Sequence, residues 1–295
     1  GPAVSSKVPE RLGQYRPVRF IQSGNSCQIW EAVKDGASGR FVLKLLRRDH
    51  YGNRAEIAYL KHEYEVAHGL DHPNVIHIYE FAQQGKIAFL VLEVFAVLNF
   101  KMALRENRQR LLVHFPKIIK QCAAALGHLH EKKWVHCDIK PDNFLLNDEE
   151  EVKLIDFTIA KKIAGGLGRL FSKKGVIRGT RSYMSPEQIR GKPLDARSDV
   201  YSLGCVMHEL LAGKVPYTGS SPNDLLQKHL SAPIPSMLVQ NNNLTEAMND
   251  LVRRTMSKDP NNRPESMGEL LKEFSSLRPF KTAPKLTDAD CDEKK

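Results

Sequence analysis

His136-Cys137-Asp138-Ile139-Lys140-Pro141-Asp142-Asn143, followed after a short alternating strand by Lys153-Leu154-Ile155-Asp156-Phe157-Thr158, decides the reading of this chain. The carboxylates of Asp138 and Asp156, with Lys140 and the Asn143 amide, fall in two tight turns separated by a hairpin. Such a set holds divalent cations through oxygen ligands and takes a proton from a hydroxyl, the two tasks that phosphoryl transfer demands. Magnesium keeps several waters and takes only one or two protein carboxylates besides phosphate oxygens, so Asp156 with Asn143 is a sufficient protein contribution.

The surrounding composition suits a folded enzyme-sized chain. Of 295 residues, 41% are hydrophobic and 26% charged, close to the averages for soluble globular proteins, which argues against disorder. Glycine (19) and proline (16) are near average usage, so collagen-like and low-complexity readings fail. The length suggests two domains or lobes with a core that needs no staples. A net charge of +10 permits an acidic partner without naming one. The longest strongly apolar stretch, Ile87 to Leu98, is broken by Glu93 and falls short of the roughly 20 residues a bilayer crossing takes, so no membrane contact is expected. The N-terminus has no secretion-signal pattern, and Gly1-Pro2 reads as a pair left by tag removal. Cys27, Cys122, Cys137, Cys205 and Cys291 are scattered, with no C-x-x-C spacing. Neither a disulfide framework nor a zinc site is indicated, and a reducing, cytoplasmic setting fits.

Upstream of the deciding stretch, Arg19-Phe20-Ile21, Gln28 to Val33, Arg40 to Leu45 and Ile87 to Leu92 are apolar or alternating runs bounded by turn residues, and predict strands. One helix interrupts them, with Ala55, Tyr59, Leu60, Tyr64, Ala67 and Leu70 at helical spacing. After the turn-like Val94 to Leu98 the chain becomes mostly helical: Ile118, Cys122, Leu126 and Leu129 fall on one face, as do Met248, Leu251, Val252 and Met256, then Met267, Leu270, Leu271 and Phe274. The stretch from Pro279 to Lys295 has no periodicity and reads as a loose terminus.

In order and spacing these residues resemble the signature set of the protein kinase superfamily over Tyr15 to Phe274. The resemblance implies an α+β, bilobal kinase-like fold over residues 15–278. Its parts would be a strand-rich N-lobe (15–93) with one main helix, a connector (93–98) and a larger, mostly helical C-lobe (99–278), flanked by an extension (1–14) and a tail (279–295). The family's H-R-D-x-x-x-x-N pattern corresponds to His136 through Asn143, implying that Asp138 accepts the substrate hydroxyl's proton and that Asn143 holds one metal ion. The D-F-G pattern falls on Asp156-Phe157-Thr158 and makes Asp156 the main Mg2+ ligand. Phe41-Val42-Leu43-Lys44 is similar to the V-A-I-K strand, placing Lys44 on the α- and β-phosphates of ATP. Glu63, nine residues before His72-Pro73-Asn74, stands where the family keeps the glutamate that orients this lysine; Glu65 is the competing candidate.

Ile21 through Ile29 occupies the place of the glycine-rich phosphate cover, yet only Gly24 matches, with Gln22 and Cys27 replacing the first and third glycines. Cys27 reads either as an inert small residue or as a redox switch. The resemblance further puts Ile21, Gly24, Ile29, Val42 and Leu145 around the nucleotide, Leu92 at the back of the adenine pocket, and Glu93-Val94-Phe95 on adenine through the backbone. The bland alternative is that Glu93 merely ends a strand. Ser185-Pro186-Glu187 and Asp199 to Gly204 look like the family's A-P-E and D-x-W-S-x-G elements, with Arg263 as the partner of Glu187; all three charged residues read as scaffold, since a buried carboxylate needs a partner.

Asp138-Ile139-Lys140-Pro141 resembles serine/threonine kinases, whose lysine contacts the transferred phosphate, and Thr180 matches the same class as a bridge between Asp138 and Lys140. Gln227 to Pro235 is similar to bacterial members. Between Asp156 and Glu187 there is no acidic residue, while Lys161, Lys162, Arg169, Lys173, Lys174, Arg178 and Arg181 supply seven positive charges. That run reads as a solvated loop, or as a segment that docks acidic protein substrate or takes its own phosphate at Ser172, Thr180 or Ser182. Nucleic acid is disfavoured because no aromatic residues interleave. Cys137 replaces the arginine that captures a loop phosphate, so activity is expected to depend little on loop phosphorylation. Thr158 replaces the last glycine of D-F-G, limiting flips that need positive φ and leaving a metal-ready or an inactive geometry open. The expected activity is transfer of the ATP γ-phosphoryl group to serine or threonine hydroxyls of proteins. The alternatives are a pseudokinase acting as a nucleotide-controlled binding module and, disfavoured by Ser185-Pro186-Glu187 and Asp199 to Gly204, a small-molecule phosphotransferase.

Overall fold

The alternating runs of the N-terminal part form a five-stranded antiparallel sheet in the computed structural model, which describes residues 8–163 and 179–286. Its strands are β1 (Tyr15–Ser23), β2 (Cys27–Lys34), β3 (Phe41–Leu46), β4 (Ile78–Gln84) and β5 (Ile87–Leu92), in the order β1-β2-β3-β5-β4. β4 is absent from the sequence expectation; it lies at the sheet edge with most of its residues half-buried or exposed, so its apolar alternation is weak. Successive side chains of a strand point to opposite faces. Leu43, Leu45, Phe89 and Val91 therefore share one face and form a core with Leu12, Tyr15 and Ala32. Val42 and Lys44 take the other, opposite Leu92 and Leu90 of β5.

Helix α1 (Arg54–Ala67) begins at Asn53, whose side chain accepts from the backbone N–H groups of Ala55 and Glu56, and packs on β4 and β5. Its buried residues are Leu60, Glu63, Val66 and Ala67. Ala55, expected on the apolar face, is exposed in the first turn, and Leu70 is buried beyond the helix end. The chain divides into two compact units: the first runs to Asp71 and takes in Ile76–Val97, and the second takes His72–Val75 and resumes at Leu98.

The second unit contains α2 (Phe100–Glu106), α3 (Arg108–Val113), α4 (Phe115–Glu131), β6 (Trp134–Val135), β7 (Phe144–Leu146), β8 (Val152–Leu154), β9 (Lys161–Lys162), α5 (Pro186–Ile189), α6 (Ala196–Ala212), α7 (Pro222–Ser231), α8 (Glu246–Thr255) and α9 (Met267–Ser276). On α4 the row Ile118, Cys122, Leu126 and Leu129 is fully buried. Helix α6 is buried nearly all round, as a central helix must be. It lies so close to α8 that a Cβ on Gly204 would stand 2.3 Å from Thr255 Oγ1. At the α6 C-terminus Gly213 takes φ +80°, and Arg108 donates to the last carbonyls, those of Leu210 and Leu211, where a cation also suits the helix dipole. Among the described residues no helix is long and apolar enough to cross a membrane.

The expected loose terminus is corrected for residues 279–286. Phe280 pairs with Leu244, Thr245 N donates to Pro279 O (3.1 Å) and Lys281 N to Asn243 O (2.7 Å). Phe280 is buried edge-on against Phe115, ring centroids 6.3 Å apart. One aromatic among polar residues has no period, so only the packing reveals its role. We expect Phe280→Ala to destabilise the protein by about 3 kcal/mol, read from urea unfolding; a loss below about 1 kcal/mol would mean that the segment is not docked in solution.

His229 on α7 is fully buried, with Nδ1 2.8 Å from the Tyr201 hydroxyl and its ring edge-on to Tyr217. Burial first and the charge of Lys258 second push its pKa from 6.5 down to about 4, against a smaller opposing pull from the Ser182 backbone. The unfolded chain therefore takes this proton at higher pH than the folded one. The stabilisation is full above pH 6.5 and drains away as pH falls toward 4. Stability at pH 5 should lie roughly 2 kcal/mol below that at pH 7 from this group alone. His229→Gln should narrow the difference, and an unchanged pH slope in that variant would assign it elsewhere.

Candidate active site

In the first unit Lys44 lies mid-strand on β3, between Ile29 of β2 and Leu90 of β5. Its ammonium donates to Glu63 Oε2 at 2.6 Å, with the Lys44 side chain 16% and the Glu63 side chain 2% exposed. The geometry selects Glu63 over Glu65, which points to solvent. A buried, charge-assisted pair with this separation fixes where the ammonium sits.

The loop between β1 and β2 closes with Gly24 N donating to Cys27 O (2.8 Å), and Arg47 holds it from behind through Gly24 O and Ser26 O. Gly24 does not take positive φ, and a Cβ there would meet Cys27 O at an ordinary 3.5 Å. The turn thus forms without the glycines that Gln22 and Cys27 replace. Ile21 sits in the bulge between Phe20 and Gln22, opposite the Ile29 end of β2. Burial raises the Cys27 thiol pKa while Lys44 pulls it down, which favours the inert reading. Val42 and Leu92 are cross-strand partners, Val42 half-buried and Leu92 buried. At the end of β5 Glu93 Oε1 accepts from His77 N (2.8 Å), and its own N–H donates to His77 O (3.0 Å). Phe95 is half-buried and Val94 exposed.

The second unit holds the remaining residues. Buried Asp199 accepts from His136 N (2.8 Å), Cys137 N (3.1 Å) and the His130 ring (2.7 Å). This clasp supports Cys137 at φ +69°, a conformation that costs a non-glycine residue about 1 kcal/mol or more. His136 accepts from Asp138 N through Nδ1 (3.2 Å) and faces Ile155 O through Nε2 (3.1 Å), joining the two turns. Cys137 is buried, its carbonyl accepts from Gln188 Nε2 at 2.7 Å, and burial with the Asp199 charge drives its thiol far above the ordinary range. Burial and a raised pKa both work against a reactive thiolate here.

Asp138 and Lys140 meet on Thr180. Asp138 Oδ1 accepts from Thr180 N (2.9 Å) and Oγ1 (3.0 Å), Lys140 Nζ donates to the same Oγ1 (2.8 Å), and Lys140 Nζ stands 3.4 Å from Asp138 Oδ2. Gly179, which sequence reasoning did not single out, makes this possible. At φ +119° it passes so near Cys137 O and Gln188 Nε2 that a Cβ would meet each at 2.9 Å. Gln188 and His130 were also missed; nothing local marks a residue that acts by reaching 51 or 69 positions along the chain.

Asn143 Nδ2 donates to Asp138 O (2.8 Å), so the amide oxygen is the atom it would offer a cation. Ile155 N donates to Asn143 O (3.0 Å), which sets Asp156 next to that turn at the end of β8. Positive φ falls on Asp156 (+63°), a residue type that tolerates it, and not on Thr158. Thr158 instead donates from N (3.2 Å) and Oγ1 (2.6 Å) to Asp156 Oδ1. The two donor groups are hard oxygens from one carboxylate and one amide, which fit magnesium. Phe157 is fully buried against His136, and Leu145 lies on β7 opposite Lys153. Glu187 and Arg263 form a bidentate pair (2.6 and 2.9 Å), with Ser198 on the same carboxylate.

Of the basic run, Lys161 and Lys162 on β9 and Arg181 are exposed, with Lys162 over the Trp134 ring. Arg169, Lys173, Lys174, Arg178 and Ser172 lie outside the described residues.

Comparison with known families matches the protein kinase domain over residues 15–274. Among curated proteins the chain is 30% identical over 258 residues to serine/threonine-protein kinase PrkC of Bacillus subtilis, covering 88% of this chain and 39% of that protein. It is 29% identical over 278 residues to serine/threonine-protein kinase PknA of Mycobacterium tuberculosis, covering 92% and 63%. The chain thus spans less than two thirds of the length of these relatives. With the family match running through both units and the residues of both turns, this chain belongs to the protein kinase family.

Proposed function

We propose that the chain is a serine/threonine protein kinase that moves the γ-phosphoryl group of ATP to protein hydroxyls. The observation that carries this reading is the convergence of Asp138 and Lys140 on one hydroxyl, Thr180 Oγ1. A carboxylate that accepts an O–H while an ammonium neutralises the same neighbourhood is what hydroxyl attack on phosphorus requires. The names of the relatives point to the same acceptor class.

In this reading Lys44, oriented by Glu63, neutralises the α- and β-phosphates. Asp138 orients the acceptor hydroxyl and takes its proton, while Lys140 offsets charge gathering on the transferred oxygens. Bound magnesium would supply charge neutralisation on the phosphates, held by Asp156 and Asn143. Ile21, Gly24, Ile29, Val42, Leu92, Phe95 and Leu145 are assigned to the nucleotide, with Glu93 and Phe95 acting through their backbone. Catalysis is then mostly positioning and fixed charge. Exposed Lys161, Lys162 and Arg181 favour protein substrates with acidic residues near the acceptor.

The test is labelled phosphate transfer from magnesium-ATP to mixed protein substrates. Asp138→Asn should lower the rate by about 10²–10⁴-fold with nucleotide binding kept, and excess chelator should abolish transfer. Transfer untouched by Asp138→Asn would reject the mechanism; nucleotide binding without transfer in the wild type would establish the pseudokinase instead.

A second expectation concerns the loop. Because Cys137 offers no cation to a loop phosphate, the double variant Ser172→Ala/Ser182→Ala should keep its rate within about twofold. Thr180→Val should fall by roughly 10-fold or more whatever its phosphorylation state, because the hydroxyl itself bonds Asp138 and Lys140. A collapse of the double variant, with folding intact, would show that loop phosphate matters after all.

A further inference from the structure

Gln121, half-buried on α4, spends its whole hydrogen-bonding capacity inside the second unit. Its Oε1 accepts from Val152 N and from Asn74 Nδ2, both at 2.9 Å. Its Nε2 donates to Glu150 O at 2.8 Å and to Lys117 O at 3.2 Å. A carboxamide has two donors and two lone pairs, so every one of them is used.

Asn74 completes the arrangement. Its Nδ2 donates to Val152 O (2.9 Å), its carbonyl accepts from Leu154 N (2.8 Å), and Val75 pairs in parallel with Leu154. β8 is therefore held on one edge by β7 and on the other by the stretch His72–Val75, with Gln121 bonded to both β8 and Asn74. Asp156 follows Leu154 by two residues. The stretch His72–Val75 is also where the chain leaving α1, the helix that carries Glu63, enters the second unit before returning to β4. One amide thus joins β8 to the stretch His72–Val75, within the second unit.

We propose that Gln121 is a positioning residue for the metal ligand Asp156, fixing the register of β8 through its four hydrogen bonds. This rests on Asp156 holding the metal, as in the function proposed above. A residue that orients a metal ligand from behind is typically worth a 10- to 100-fold change in metal affinity.

The probe is Mn2+ capture in the presence of a non-hydrolysable ATP analogue, followed by electron paramagnetic resonance. Gln121→Met keeps the side-chain length and removes all four bonds. It should weaken Mn2+ capture by roughly tenfold while metal-free analogue affinity stays at the wild-type value. Arg108→Met, which strips the cap of α6, serves as a stability control and should leave Mn2+ affinity unchanged. Should Gln121→Met fail to fold, Asn74→Ala decides by the same measurement, with a shift in the same direction. Unchanged Mn2+ capture in the folded variant, or an equal weakening in Arg108→Met, overturns the proposal. A wild-type chain that captures no Mn2+ with the analogue overturns the metal reading of Asp156 and this proposal with it.

Discussion

Asp199 is the constraint on which the turn carrying Asp138 depends. Its carboxylate is buried on α6 and accepts from two consecutive backbone N–H groups and an imidazole. Such a cluster satisfies a charge that could not otherwise be buried, and it fixes a left-handed residue directly before Asp138. α6 is itself enclosed by its neighbours, with Gly204 against Thr255 and Arg108 closing its end. The position of one carboxylate is thus set by the packing of most of the second unit.

The departures from the family pattern become intelligible against that support. Cys137 is buried, with its backbone held by Gln188 and Asp199 and its thiol donating to Val135 O, so the side chain there is part of the core. Thr158 needs no positive φ in this structure and ties its hydroxyl to Asp156. The β1–β2 loop closes on Gly24 and Cys27 without glycine-only backbone angles. At Thr158 a hydrogen bond to Asp156 stands where the family has a glycine.

Two kinds of buried ion pair serve different ends. Glu187 with Arg263 is saturated by Ser198 and by carbonyls around the guanidinium, as a scaffold pair should be. Lys44 with Glu63 leaves the lysine side chain partly exposed on the sheet face away from the core. Removing one partner from either pair strands a charge in low dielectric, which is costly in both cases. Their difference lies in exposure: the Lys44 side chain is 16% exposed, that of Arg263 0%.

The sequence by itself determined the strands β1, β2, β3 and β5 and the apolar faces of α4, α8 and α9, because period and short spacing are local properties. Spacing alone also placed Asp138, Lys140, Asn143 and Asp156 in two turns. What it could not settle were choices between neighbours or across long separations. Glu63 against Glu65 was decided by which face of α1 is buried, and the edge strand β4 by pairing with β5. Docking of Phe280, the glycine demanded at position 179 and the reach of Gln188 and Gln121 belong to tertiary structure alone, because each depends on atoms brought together from distant parts of the chain.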